Sequence, residues 1–422
     1  MKPLNVFIEI NGTQCPVGSL EGNDYRDAHF KYSQDYLNAK EAAPISISLP
    51  LQKESFSAEA TRSFFEALLP EGFSRKAVSG WIKADEDDYI SLLRNLGKEC
   101  IGAIQITDDE RISESGYIPV EKDELISLAR EGATKSTELL AESHISLAGA
   151  SGKVGLYYDE LQNKWYKPFG IAASTHILKQ SHVRLDHLVV NEQLCMLTAS
   201  KLNIEVPDSF IVNTGTGNDD EILYATERFD RIRRTDLKQV ASPYRLHQED
   251  FGQALGIPSE QKYETENRGY LKKIFSLINN YSSNPIEDGL KLWDRVVFNY
   301  ILGNTDAHIK NYGLLYSSDL KSIRLSPAYD LICTRIYGNR NDMSVMIDGE
   351  IDSTKLTRRS FENAAHDVAI GPKMAMDHFD YIKDNFETAL HEAAEEMRKQ
   401  GIDDAVEMAD RILKSVKTAN ST

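Results

Sequence analysis

The chain opens on an apolar run, "LNVFIEI" at positions 4–10, that reads as a strand ending in an Asn11-Gly12 turn. "SAEATRSFFEALLPEG" places Phe64, Phe65, Leu68 and Leu69 at helical spacing, and Pro70 and Gly72 close it. "ECIGAIQIT" returns to strand character, and the polar "DDERISESG" that follows marks a boundary. Residues 1–106 are therefore expected to form a compact α+β subdomain.

From about 117 to 235 the pattern favours short strands: "KVGLYYDE", "KWYKPFG", "THILKQ" and "EILYATERFD", each bounded by turn residues. The exception is 185–204, where Leu188, Val189, Glu192, Met196 and Ala199 recur at helical spacing. After about 246 helices dominate, in "QEDFGQALG", "YLKKIFSLINNY" and "PIEDGLKLWDRVVFNYIL". Asn284 is the expected N-cap of the last of these, with Pro285 at its first position and Glu287 three residues on. The pattern predicts a β-rich lobe at 107–231, a helical lobe at 232–422, and a hinge near "ERFDR", 227–231.

A length of 422 residues with 41% apolar content supports two or three domains with sizeable cores. The formal net charge of −17 argues against direct, non-specific binding to nucleic acid, which needs a cationic surface. It leaves room for a basic partner that bridges to DNA. Cys15, Cys100, Cys195 and Cys333 are far apart, so neither a zinc site nor a disulfide framework is indicated. The N-terminus does not read as a signal peptide, and no apolar run approaches the roughly 20 residues a membrane helix needs. A cytoplasmic location, away from the membrane, is expected.

Four stretches carry candidate chemistry. "HISLAGASGKVGLYY", 144–158, spaces Gly149, Gly152 and Gly155 among small residues, so backbone N–H groups can approach phosphate oxygens. It does not satisfy the Walker A spacing, and a plain hairpin turn is the alternative. In "STHILKQ", Lys179 ends an apolar run, where a strand lysine can hold phosphates and pair with a helix glutamate. Glu192, thirteen residues on, sits on an apolar helix face where a carboxylate needs a partner. In "GNTDAHIKNYG", 303–313, Asp306 and Asn311 stand five apart, the separation of a kinase catalytic loop. Asp306 is then the catalytic base, and Asn311 supplies a hard oxygen to Mg2+. Asp330 in "SPAYDLIC" is the candidate second Mg2+ ligand. Each of these acids also has a plain reading as a capping or turn residue.

The order of parts is glycine loop, strand lysine, helix glutamate, hinge, Asp-x4-Asn, then Asp. That is the order phosphoryl transfer from ATP uses. The departures matter too. Asn304 and Thr305 replace His-Arg before Asp306, His308 replaces the usual loop lysine, and Leu-Ile follows Asp330 in place of Phe-Gly.

"SLAGASGK", "THILK", "ERFDR", "HQEDFGQALG", "FNYILGNTDAHIKNYG" and "PAYDLI" closely resemble the HipA family of bacterial toxin kinases, as do "FFEALLPEG" and "GKECIGA" near the N-terminus. The resemblance spans nearly the whole chain. It implies an α+β, atypical two-lobed protein-kinase-like fold with an extra N-terminal subdomain and an all-helical C-lobe. It implies a serine/threonine protein kinase that uses ATP and Mg2+ and pairs with a HipB-like helix-turn-helix antitoxin, which binds operator DNA. The family's characterised toxins phosphorylate aminoacyl-tRNA synthetases. Position by position, the resemblance assigns Asp306 as catalytic, Asn311 and Asp330 as Mg2+ ligands, and Lys179 as the phosphate-contacting lysine. It assigns the nucleotide loop to Ala148, Gly149, Ala150, Ser151, Gly152 and Lys153. Glu227 and Phe229 match hinge positions whose backbone meets adenine, and His308 and Tyr329 match further nucleotide contacts. Ser146 matches the serine whose autophosphorylation inactivates the kinase. Two other readings stay open: a nucleotide-binding corepressor with weak turnover, and a small-molecule kinase.

Overall fold

The computed structural model describes residues 1–108, 115–132, 135–136, 139, 147, 152–181, 185–234, 240–338 and 340–419. It comprises two compact units. The first is Met1–Arg184, Val212–Ser259 and Leu315–Ser322; the second is Leu185–Ile211, Glu260–Leu314 and Ile323–Thr422.

Two larger sheets lie wholly or mostly in the first unit, beside a two-stranded pairing of Arg231–Ile232 with Tyr244–Arg245. One has four antiparallel strands, β1 (Leu4–Ile10), β2 (Thr13–Glu21), β3 (His29–Tyr32) and β4 (Ile104–Thr107), in the order β3-β2-β1-β4. Asn11 and Gly12 both have positive φ, 49° and 75°, the two-residue turn that an Asn-Gly pair favours. Leu4, Val6 and Ile8 are fully buried, so alternate positions of β1 face a core. Gly18 on β2 is obligatory for space, since a Cβ there would lie 2.0 Å from the Lys31 carbonyl oxygen on β3.

The other sheet is six-stranded: β5 (Gly116–Pro119), β6 (Lys153–Asp159), β7 (Lys164–Phe169), β8 (His176–Lys179), β9 (Ser209–Asn213) and β10 (Ile222–Glu227). Its order is β5-β7-β6-β8-β10-β9. The strand runs expected at 153–160, 164–170, 175–180 and 221–230 all form.

The "ERFDR" stretch after β10 does something its pattern did not indicate. Arg228 and Arg231 are buried with Glu99 and Asp230 in one four-residue ion network, with N–O distances of 2.8–2.9 Å. Asp230 also accepts from the Gly102 N–H at 2.7 Å, and both arginines donate to the Cys100 carbonyl. Burial alone raises the Glu99 and Asp230 pKa values, but the two guanidiniums outweigh it and hold both carboxyls below their usual range. Charges this deeply buried persist only because each is paired and hydrogen-bonded.

"HQEDFGQALG" divides into a strand, Gln248–Asp250, and a short helix, Phe251–Leu255. Asp250 and Gln253 form its capping box.

The second unit is mainly helical. Its helices are Leu188–Lys201, Tyr270–Tyr281, Pro285–Leu302, Arg358–Asp367, Pro372–Lys399 and Asp404–Ala419. Trp293 anchors the core: its ring meets Phe275 and Phe361 edge-on, and its Nε1 donates to the Ala375 carbonyl at 2.9 Å. The helix at 188–201 is buried on nearly every face. Pro285 occupies the first turn of the 285–302 helix as expected, but Asn284 does not cap the backbone. Its amide donates instead to the Glu287 carboxylate at 2.5 Å, a charged acceptor that outcompetes the capping geometry. The unit is not helical throughout. Strand Asp342–Ile347 pairs with Glu350–Asp352 through an Asp348-Gly349 turn, both residues at positive φ. "MSVMIDGEI" carries the alternation and Asp-Gly signal of a hairpin, so this element was legible.

Candidate functional site

In the second unit the helix Pro285–Leu302 stops at Gly303, whose φ of 77° places it in the left-handed region. A side chain there would also strike the Arg335 guanidinium, 2.9 Å from the position of a Cβ. Glycine at 303 thus ends the helix and lets Arg335 cover the turn.

The polar loop that follows is built by side chains gripping backbone. Asn304, 1% exposed, is its centre. Its Oδ1 accepts from the Asp306 N–H at 3.1 Å, and its Nδ2 donates to the Asp330 carbonyl at 3.2 Å and to Asn299 Oδ1 at 2.9 Å. One buried amide therefore ties the Asp306 loop to the Asp330 segment. Asn311 closes the loop from its other end, its Nδ2 donating to the Asp306 carbonyl at 2.9 Å. Tyr329 donates its hydroxyl to the Lys310 carbonyl at 3.0 Å, and Asp330 itself has a φ of 53°. A non-glycine residue held there is strained, as happens where a side chain must be aimed.

Asp306 is exposed, and its Oδ1 accepts a hydrogen bond from the Tyr263 hydroxyl. The His308 ring lies edge-on to Tyr263, with centroids 5.1 Å apart. The Asn311 bond to Asp306 uses the amide nitrogen, which leaves the amide oxygen to serve as a ligand. Asn311 and Asp330 are the residues here that could hold a hard cation such as Mg2+ through side-chain oxygens. Among the described residues no group of three or more His, Cys, Asp or Glu forms a preassembled metal cage.

In the first unit, Lys153 at the start of β6 and Lys179 at the end of β8 are direct cross-strand partners. Both are buried, at 7% and 9% exposure. Tyr224 on β10 pairs with Lys179 from the other side, and the ammonium lies 5.6 Å from its ring centroid. Opposed like charges repel on a sheet, and a buried ammonium loses hydration. Glu227 ends β10 and pairs through its carboxylate with Arg233 Nε at 3.0 Å. His176, opposite Glu227 in the register, has its pKa pushed down to about 3 by burial and by Arg233, so it is neutral. Phe229 is half-buried, and Gly152 immediately precedes β6. Ser146 and residues 148–151 lie outside the described residues.

Glu192, 6% exposed, sits on the 188–201 helix of the second unit, whereas Lys179 belongs to the first. Sequence reasoning passed over its neighbour Asn191, which brackets the backbone of Cys333. It also passed over Asn304 and Tyr263. Asn191 left a trace: three consecutive polar residues, Asn191, Glu192 and Gln193, in an otherwise apolar helix. For Tyr263 no local pattern existed.

The family of HipA-like C-terminal domains matches residues 145–401, and that of HipA N-terminal domains matches residues 8–107. The chain belongs to the HipA family. It is 31% identical over 398 residues to Y4mE of Sinorhizobium fredii, a candidate kinase, covering 92% of each chain. It is 26% identical over 340 residues to the serine/threonine-protein kinase toxin HipA of Shewanella oneidensis, covering 77% of this chain and 74% of that one. Its fold matches a solved Shewanella oneidensis complex of HipA, HipB and operator DNA, with a TM-score of 0.79 and 22% identity over 98% of this chain and 97% of the other. The α+β, kinase-like HipA fold expected from the motifs is therefore the fold of this chain. No helix among the described residues is long and apolar enough to cross a membrane.

Proposed function

We propose that this chain is an ATP-dependent serine/threonine protein kinase of the toxin type. The observation that carries the reading is the Asn304 staple. It holds Asp306 and the Asp330 segment together in a loop whose Asp-x4-Asn spacing is fixed by the Asn311 bond. In the reaction, an acceptor hydroxyl gives its proton to Asp306 while its oxygen bonds to the γ-phosphorus. The bond from that phosphorus to the β–γ bridging oxygen breaks, and ADP leaves. Lys153 and Lys179 neutralise phosphate charge. Backbone at Glu227 and Phe229 meets adenine, while His308, Tyr329, Gly152 and the loop 148–151 make further nucleotide contacts. Asn311 and Asp330 would hold Mg2+, which neutralises charge on the phosphate oxygens.

Family membership supports the wider setting. The partner is a HipB-like antitoxin that supplies the contact with operator DNA, which suits a chain of net charge −17. The substrate class is protein, with an aminoacyl-tRNA synthetase as the proposed acceptor, and the location is the cytoplasm. Autophosphorylation at Ser146 adds about two negative charges beside the nucleotide loop and so displaces bound phosphate.

The test is labelling with [γ-32P]ATP, comparing wild type with Asp306→Ala. Incorporation in wild type alone is expected, and equal incorporation overturns the kinase reading. Ser146→Ala is expected to lose self-labelling; labelling equal to wild type removes Ser146 as the switch.

A further inference from the structure

One feature of the second unit has no place in the machinery just described: the hydroxyl of Tyr263 on the Asp306 carboxylate. Tyr263 is 38% exposed and lies in a largely exposed stretch, so it is not there as core. It is nonetheless held firmly. The next residue, Glu264, is 1% exposed, and its N–H donates to the Ser344 carbonyl at 3.0 Å. The Glu264 carboxylate accepts from the Met346 N–H at 2.8 Å and the Tyr270 N–H at 3.2 Å. The hydroxyl of that same Ser344 donates to the Thr305 carbonyl at 2.7 Å, one residue before Asp306. The strand Asp342–Ile347 therefore carries both Tyr263, through Glu264, and the loop of Asp306. Tyr263 and Asp306 are two arms of one frame, and the His308 ring packs against the tyrosine from the side.

We infer that Tyr263 is a positioning residue for the catalytic carboxylate. This rests on the kinase reading, in which Asp306 is the base. A carboxylate on an exposed loop rotates among rotamers unless something fixes its plane. The Tyr263 hydroxyl engages Oδ1 and so sets the direction in which Oδ2 meets the acceptor hydroxyl. Asp306 then takes the proton with little reorganisation, the contribution that orientation makes to a transfer step. The competing role is a plug, in which the tyrosine hydroxyl occupies the acceptor's place and must leave before turnover.

The experiment measures phosphate transfer from [γ-32P]ATP to dephosphorylated casein, a generic acceptor. It uses wild type, Tyr263→Phe, Asp306→Ala and the double variant, and follows Mg·ATP binding to each by calorimetry. Tyr263→Phe keeps the ring against His308 and removes only the hydrogen bond. It is expected to lower kcat by about tenfold or more, with KM for ATP, Mg·ATP affinity and melting temperature within twofold or a degree or so of wild type. Because Tyr263 acts through Asp306, the double variant is expected to match Asp306→Ala rather than multiply the two losses. A Tyr263→Phe rate at or above wild type overturns the inference, the latter outcome indicating a plug. Multiplicative losses also overturn it. If Asp306→Ala itself matches wild type, the kinase reading fails first, and that result is distinct from any effect of Tyr263.

Discussion

The side chain of Asn191 brackets Cys333: its Oδ1 accepts from the Cys333 N–H at 3.1 Å, and its Nδ2 donates to the Cys333 carbonyl at 3.0 Å. Both residues are fully buried. The bracket fastens the helix that carries Glu192 to the segment three residues beyond Asp330. Replacing Asn191 with alanine leaves a buried N–H and C=O unmet, each costing about 1–3 kcal/mol. Asn191→Ala is therefore expected to destabilise the second unit by about 2–5 kcal/mol, seen as a lower urea midpoint at unchanged slope. A midpoint equal to wild type would mean water replaces the bracket at no cost.

Asn304 ties two loops, so its loss is expected to affect turnover more than folding. Asn304→Ala frees the Asp306 N–H and the Asp330 carbonyl together. A misplacement of that kind costs about a hundredfold in rate. Asn304→Asp keeps the acceptor for the Asp306 N–H and loses the donor to Asp330, so an intermediate kcat is expected. Steady-state turnover of the two variants decides it, and two equal rates would show that only one of the two bonds matters.

The opposed Lys153 and Lys179 predict an effect on nucleotide binding. Saturating ATP is expected to stabilise wild type by about 2.7 kcal/mol at one hundred times its Kd. In Lys153→Met and Lys179→Met that gain is expected to shrink by more than half. Thermal melts with and without Mg·ATP make the comparison, and an undiminished ATP shift in Lys153→Met would remove it from the phosphate site.

Glu249, 1% exposed, accepts from Ser46, Tyr316 and the Ile47 N–H, yet burial pushes its pKa up to about 7. The folded value lies above that of an unfolded glutamate, 4.5. Its contribution is thus fully present below about pH 4.5 and lost as pH rises through 7. Between pH 5 and 8 wild type is expected to lose on the order of 3 kcal/mol that Glu249→Gln retains. Urea titrations of both proteins at the two pH values test this, and parallel pH dependence would show that Glu249 titrates normally.

What the sequence made legible, and what it hid, follows from the range of the interactions. Strands β6, β7, β8 and β10 announce themselves because neighbours within a few residues dictate alternation and turns. The loop at 303–313 drew notice through the spacing of Asp306 and Asn311, two residues that the structure joins locally through the Asn311 amide and the Asp306 main-chain carbonyl. Asn304 and Asn191 were invisible as staples because their partners lie 26 and 142 residues away. An asparagine carries no mark of whether it faces water or a distant backbone. The buried network at "ERFDR" was hidden for the same reason, since the Glu99 carboxylate and the Cys100 carbonyl that Arg228 meets lie 129 and 128 residues away. The Asp348-Gly349 hairpin is different, since its signal was present and was outweighed by the helical runs around it.

The buried network of Glu99, Arg228, Asp230 and Arg231 also bears on where the chain can be cut. Residues 1–106 have the composition of a detachable module, and a shortened kinase starting near 107 is an obvious design. Such a fragment would keep two arginines evolved for a dry interior and lose the Glu99 carboxylate, the Cys100 carbonyl and the Gly102 amide that satisfy the knot. The N-terminal segment supplies part of the interior of the unit that bears Lys153 and Lys179. It is spliced into that unit by electrostatics as much as by sequence, and the smallest catalytic piece of this protein includes it.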